Sequence, residues 1–104
     1  MSPHEIYIIH LSWGSDGKIR PVLVFIVDED TVDIYQITTQ YENKSEHIKS
    51  QYFKINDPEQ AGLNKASYID TGTLISLPKD AFKGKTPVGI LTDGDKQRFL
   101  KFLK

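Results

Sequence analysis

The chain has 104 residues, 13 Lys/Arg against 14 Asp/Glu for a formal charge of -1, and no cysteine. A single domain of this size buries somewhat over ~60% of its unfolded surface, and the lack of thiols excludes cysteine catalysis, thiolate zinc centres and a disulfide framework. No run reaches the length of a membrane helix, and the first residues lack the basic start and apolar centre of a signal peptide, so a soluble, cytoplasmic protein with no membrane association is expected.

Glu5 to Leu11 is rich in β-branched and aromatic residues and predicts a first strand. Ser12 to Lys18 interrupts it with two glycines, two serines and an aspartate, which predicts a loop. Trp13 on that loop either caps the core or offers a stacking face to a ligand. Val22 to Val27 is an unbroken apolar run that predicts a strand buried on both faces, at the centre of a sheet. Pro21 has no N–H for a ladder and is expected at the first position of that strand, which leaves Arg20 at the rim.

Asp28-Glu29-Asp30-Thr31 is a compact acidic turn, and Val32 to Ile37 the returning strand of a hairpin. An antiparallel return brings Thr38, Thr39 and Gln40 beside Arg20, so hydroxyls and a guanidinium meet at one rim. Tyr41 to His47 reads as a polar loop on the same rim, where ligands are often gripped.

Lys49 to Ile55 predicts a fourth strand with Phe53 and Ile55 facing in. Asp57 to Gly62 carries a capping residue, a proline at the first helical position and a glycine stop, which predicts a one-turn helix. Ala66 to Leu77 predicts two short extended pieces around a bend at Gly72, Pro78 to Gly84 a brief turn, and Pro87 to Leu91 a last strand. Thr92-Asp93-Gly94-Asp95 opens a helix, with Phe99, Leu100, Phe102 and Leu103 expected to dock on the sheet and Lys96, Arg98, Lys101 and Lys104 to stay in water. Six or seven short strands with one C-terminal helix predict a mainly β protein, a small, partly open barrel. From Lys79 onward seven Lys/Arg face three Asp, whereas six face eleven Asp/Glu before it, an asymmetry that permits a polyanion on one face.

The residues Gly17-Lys18-Ile19-Arg20-Pro21-Val22-Leu23-Val24, Ile37-Thr38-Thr39-Gln40, Ala61-Gly62-Leu63 with Ser67, and the helix start at Thr92 resemble, in order and spacing, MazF/PemK-family toxins of type II toxin–antitoxin systems. The resemblance covers most of the chain from Gly14 onward; it departs from the family at Pro3-His4-Glu5-Ile6 and at Thr73. It implies an SH3-like barrel with a C-terminal helix, a homodimer, and a metal-independent, sequence-specific endoribonuclease acting on single-stranded RNA. It also implies neutralisation by a cognate antitoxin with an acidic disordered segment. The family's catalytic arginine and threonine fall on Arg20 and Thr38, and its RNA-approaching loop on Ser12 to Ile19. RNA contacts are therefore expected from Trp13, Ser15, Lys18, Thr39, Gln40 and Tyr41.

Cleavage without a metal uses the neighbouring 2′-OH as nucleophile, so the protein must accept a proton and hold charge on the phosphate. Arg20 suits the second task and cannot serve as an ordinary base. Asp16 is the first candidate base and His10 the second. His4 and His47 are expected to do nothing chemical, and three scattered histidines give no recognisable metal-ligand spacing, so no cofactor is expected. Two other readings stay open: a non-catalytic SH3-like binding module, and a gyrase-poisoning toxin of related fold.

Overall fold

The computed structural model describes residues 1–13 and 16–104, with the backbone alone at 13 and 16. Its strands are β1 (Glu5–Trp13), β2 (Asp16–Val27), β3 (Thr31–Thr38), β4 (Tyr52–Lys54), β5 (Tyr68–Pro78) and β6 (Gly89–Ile90), and its helices α1 (Glu46–Lys49) and α2 (Asp93–Phe102). Every pairing is antiparallel, in the order β4-β5-β3-β2-β1-β6, and the sheet curls into a half-barrel. The mainly β architecture with a C-terminal helix is the one expected from the sequence.

β2 separates two apolar clusters. Leu23 joins Ile6, Tyr35, Ile37, Phe53, Ile69 and Phe99 on the face covered by α2. Val22 and Val24 join Tyr7, Ile9, Leu11, Val32, Ile34 and Phe82 on the other. The burial of both faces holds for Val22, Leu23 and Val24; beyond a register shift between Val24 and Ile26 the strand emerges, and Ile26 is exposed.

Two sequence expectations fail near this strand, for one reason. Ser12, Trp13 and Asp16 to Lys18 are strand, with Ser12 opposite Gly17 and Leu11 opposite Lys18, because hairpin pairing between β1 and β2 overrides the local glycine and serine content. Pro21 consequently lies inside β2, opposite Ile8, and not at its start. It is tolerated there because the ladder to β3 begins only at Val22, opposite Gln36.

Further along, Ser45 caps α1 by accepting from the Ile48 N–H at 3.3 Å, so Lys49 ends a helix and the fourth strand shrinks to Tyr52–Lys54. Phe53 and Ile55 do face inward. The two pieces expected around Gly72 are one strand, β5, whose ladder to β3 jumps from Gln36–Asp70 to Ile34–Ile75, which is the anticipated bend.

Asp57 to Leu63 forms hydrogen-bonded turns and no regular helix. Leu63 N–H donates to the Pro58 carbonyl at 2.8 Å and Gly62 N–H to that of Glu59 at 3.1 Å, a Schellman pattern closed by Gly62 at φ +83°. The turn rests on the strand-leading segment Val88-Gly89: a Cβ on Gly62 would lie 2.1 Å from the Val88 carbonyl oxygen, and one on Gly89 would lie 2.1 Å from that of Ala61.

Helix α2 starts as expected, with Thr92 Oγ1 accepting from the Asp95 N–H at 3.2 Å. Asp95 itself is 2% exposed and accepts from the backbone N–H groups of Asn56 (3.2 Å) and Asp57 (3.1 Å) and from the Arg98 guanidinium, so Arg98 is engaged and not simply solvated. Phe99 is fully buried, its ring centroid 5.3 to 6.4 Å from those of Phe53, Tyr35, Phe25 and His4. Leu103 packs beside it and the Phe102 ring meets Phe53 edge-on at 5.5 Å, whereas Leu100 is exposed because only one narrow stripe of this ten-residue helix reaches the sheet.

His4 holds a positive φ of 73°, stands edge-on to Phe99, and its buried Nε2 has no partner among the described residues. Burial, and secondarily the Lys96 charge, lowers its pKa below the ordinary 6.5. The unfolded chain therefore takes up this proton first as pH falls, so stability is fully present above 6.5 and declines as pH drops toward the lower folded value. Denaturant melts between about pH 7.5 and about pH 5 should show that decline, reduced in His4→Asn, which tolerates the backbone conformation without the titration.

Candidate functional site

Continuing the β2–β3 register from Val22–Gln36 sets Thr38 opposite Arg20. The two residues line one groove of about 420 Å³ together with Lys18, Ile19, Pro21, Ile37, Thr39 and Gln40. Thr38 Oγ1 accepts the Gln40 N–H at 3.0 Å, which leaves its hydroxyl proton free to donate into the groove. Arg20 is half-buried, and its Nε has no hydrogen-bond partner among the described residues.

Residues directly opposite in an antiparallel sheet share a face, and this extends the site beyond the groove. Thr38 pairs with Tyr68, and Tyr68 with Lys54. One step over, Val22 pairs with Gln36, Gln36 with Asp70, and Asp70 with Tyr52. The face that is packed with valine, isoleucine and leucine at its centre thus continues as Arg20, Gln36, Thr38, Tyr52, Tyr68 and Asp70. Tyr41 arrives from the loop after β3 and stacks on Tyr68 with centroids 4.4 Å apart and planes 12° apart. Tyr52 lies 6.3 and 6.4 Å from these two rings, and Lys49 Nζ sits 5.1 Å from the Tyr41 ring centre.

Of the residues singled out in the sequence, Lys18, Arg20, Thr38, Thr39 and Gln40 come together, with Tyr41 beside them on Tyr68. Thr39 alternates to the opposite side and also lines a separate groove of about 710 Å³ with Ile8, Leu63 and Ser67. Ser15 and the side chains of Trp13 and Asp16 lie outside the described residues. His10 pairs with Ile19 while Ile9 pairs with Arg20, so His10 faces away from the guanidinium; its Nδ1 is 3.0 Å from Ser12 Oγ.

Tyr52, Tyr68 and Asp70 escape a motif-based reading. Alternation would have found them: Phe53, Ile55 and Ile69 turn inward, which sends Tyr52, Lys54, Tyr68 and Asp70 to the other side. The Tyr52 phenol is raised above its ordinary 10.0, first by burial and then by the Asp70 carboxylate, while the Arg20 charge pulls it down. In the Arg20→Ala variant the Tyr52 resonance should titrate higher than in the wild type, and in Asp70→Asn lower, followed by NMR of ring-labelled tyrosine. Equal values in all three proteins would remove Tyr52 from between these charges.

No protein-family model and no curated protein matches the sequence. Among solved structures, the Mycobacterium tuberculosis toxin MazF-mt6 superposes with a TM-score of 0.68 over 95% of this chain and 91% of that one, at 19% sequence identity. The chain has a MazF-like fold.

Proposed function

We propose that this protein is the toxin component of a type II toxin–antitoxin system and a metal-independent, sequence-specific endoribonuclease acting on single-stranded RNA in the cytoplasm. The observation that carries the reading is the meeting of Arg20 and Thr38 in one groove of a MazF-like sheet. In the reaction the 2′-oxygen bonds to the adjacent phosphorus and the bond to the 5′-oxygen breaks, leaving a 2′,3′-cyclic phosphate and a 5′-hydroxyl. Arg20 spans two phosphate oxygens with its planar fork and stabilises the charge that builds on them. Thr38, one lone pair engaged by the Gln40 N–H, donates a hydrogen bond to a phosphate oxygen or orients the 2′-OH. Asp16 is assigned the 2′-OH proton, water the proton that the leaving 5′-oxygen takes up, and Lys18, Thr39, Gln40, Tyr41, Trp13 and Ser15 the contacts to the strand.

Loss of one donor aimed at developing charge costs about a hundredfold to a thousandfold in rate, so Arg20→Ala should abolish practical cleavage of a labelled transcript while circular dichroism reports an intact fold. Arg20→Lys should restore little, since the ammonium lacks the fork. Thr38→Ala should be slow and Thr39→Ala milder, because Thr39 turns to the other side. Cleavage should continue in EDTA, as charge stabilisation is assigned to a guanidinium, and stop on RNA with deoxyribose at the scissile nucleotide. Normal cutting of that substituted RNA, or inhibition by chelation, would overturn the mechanism; a transcript left intact by the wild type would overturn the function.

The proposed partners follow from the same groove. An antitoxin's acidic disordered segment, anchored by apolar residues, is assigned to the cations Lys18 and Arg20, and the toxin is assigned a homodimeric state. Calorimetry should show weaker antitoxin binding by Arg20→Ala, and light scattering at micromolar concentration should give twice the chain mass. Unchanged affinity would move the antitoxin to another surface, and a monomer mass would remove the dimer.

A further inference from the structure

Resting on that reading, we propose that Tyr41, Tyr52 and Tyr68 form a platform on which nucleobases of the bound strand stack, next to the phosphate held by Arg20 and Thr38. Adjacent strands lie about 4.8 Å apart, so the Tyr68 position on β5 is about 10 Å from that of Arg20 on β2, with Thr38 between them. That is the scale of one nucleotide. The Tyr41–Tyr68 pair is already in contact, centroids 4.4 Å apart, and has no slot between its rings. A base therefore lies on the outward side of the pair, with the tilted Tyr52 ring, 35° from Tyr68, forming the flank.

Charge around the rings orders the strand. Lys18 and Arg20 stand at one end and Lys54, opposite Tyr68, at the other, while Lys49, over Tyr41, is held 3.9 Å from both Glu42 and Glu46. Asp70 stands beside Tyr52 and accepts the Gly72 N–H at 2.9 Å, which places a negative charge in the middle of the face. Phosphates are thereby drawn to the two cationic ends and repelled from the centre, and bases cover the rings between them. A cluster that served only to tie the 41–52 segment to the sheet accounts for Lys49, paired with Glu42 and Glu46, but needs neither Arg20 nor Lys54, which make no ion pair among the described residues. Such a surface takes unstacked bases of a single strand and leaves duplex unrecognised, and stacking tolerates any base because each has a π-face.

The test compares two fluorescein-labelled decamers of equal charge, read by anisotropy with the full-length protein: a 2′-O-methyl oligoribonucleotide, prepared as each of the four homopolymers, and a sugar-phosphate chain without bases. Wild type should prefer the base-bearing strand. Tyr68→Leu and Tyr41→Leu should each weaken binding of that strand by about fivefold to a hundredfold and leave the base-free strand unchanged, while Tyr68→Trp retains wild-type affinity. Tyr41→Leu lies on a loop and keeps the test available if Tyr68→Leu unfolds. Arg20→Ala should weaken both strands. Arg20-dependent binding with no preference for bases, or a tyrosine loss of equal size on both strands, would overturn the platform and leave the ribonuclease reading standing. No Arg20-dependent binding of either strand would overturn both.

Discussion

Side chains alternate along a strand, so the pairing of β2 with β3 decides which residues of this protein can meet. The centre of the hairpin fixes that pairing only weakly through burial, since Val22, Leu23 and Val24 are all fully buried and a slipped register would still place apolar groups on both faces. The discrimination comes from shape. Phe25 on β2 and Tyr35 on β3 both contact the Phe99 ring, at 6.2 and 6.0 Å, and each other at 5.2 Å. A slip of one residue turns one partner out of this aromatic trio, and it would also move Arg20 away from Thr38. Core packing under α2 and the geometry of the distant groove are thus settled by the same ladder.

The helix is held in turn by a buried ion. Asp95 satisfies two backbone N–H groups ahead of the Pro58 turn and the Arg98 guanidinium, and an uncompensated carboxylate at 2% exposure would be costly. The loop before β5, the end of β4 through the Lys54 carbonyl that Arg98 also reaches, and α2 become one body. Tyr52, Tyr68 and Asp70 sit on the far side of the strands so clamped.

Much of this could be seen in the sequence because it is local. The apolar run of β2, the acidic turn, the return to Thr38 and the Thr92 cap each lie within a few residues and need no knowledge of neighbours. What could not be seen depends on partners distant in the chain. Ser12 and Trp13 join a strand only because they find Gly17 and Asp16 across the hairpin, and Pro21 sits inside β2 because the ladder to β3 begins only at Val22. Asp95 reads locally as an acid near a helix start, while its burial depends on Asn56 and Asp57, nearly forty residues earlier. Tyr52 and Tyr68 gain meaning only once β4 and β5 are known to extend the row that begins at Arg20. Leu100 follows helical spacing faithfully and still faces water, since spacing gives a stripe and not its width.

The close meeting of Gly62 and Gly89 has a consequence of another kind. Two segments twenty-seven positions apart touch through bare main chain, each glycine against the carbonyl next to the other. No side chain records that contact, so nothing at these positions can be exchanged for something of similar size, as Leu can for Ile in a core. A side chain at either position would have to push the two segments apart, so the turn before β5 and the approach to β6 are constrained jointly and independently of anything in the groove.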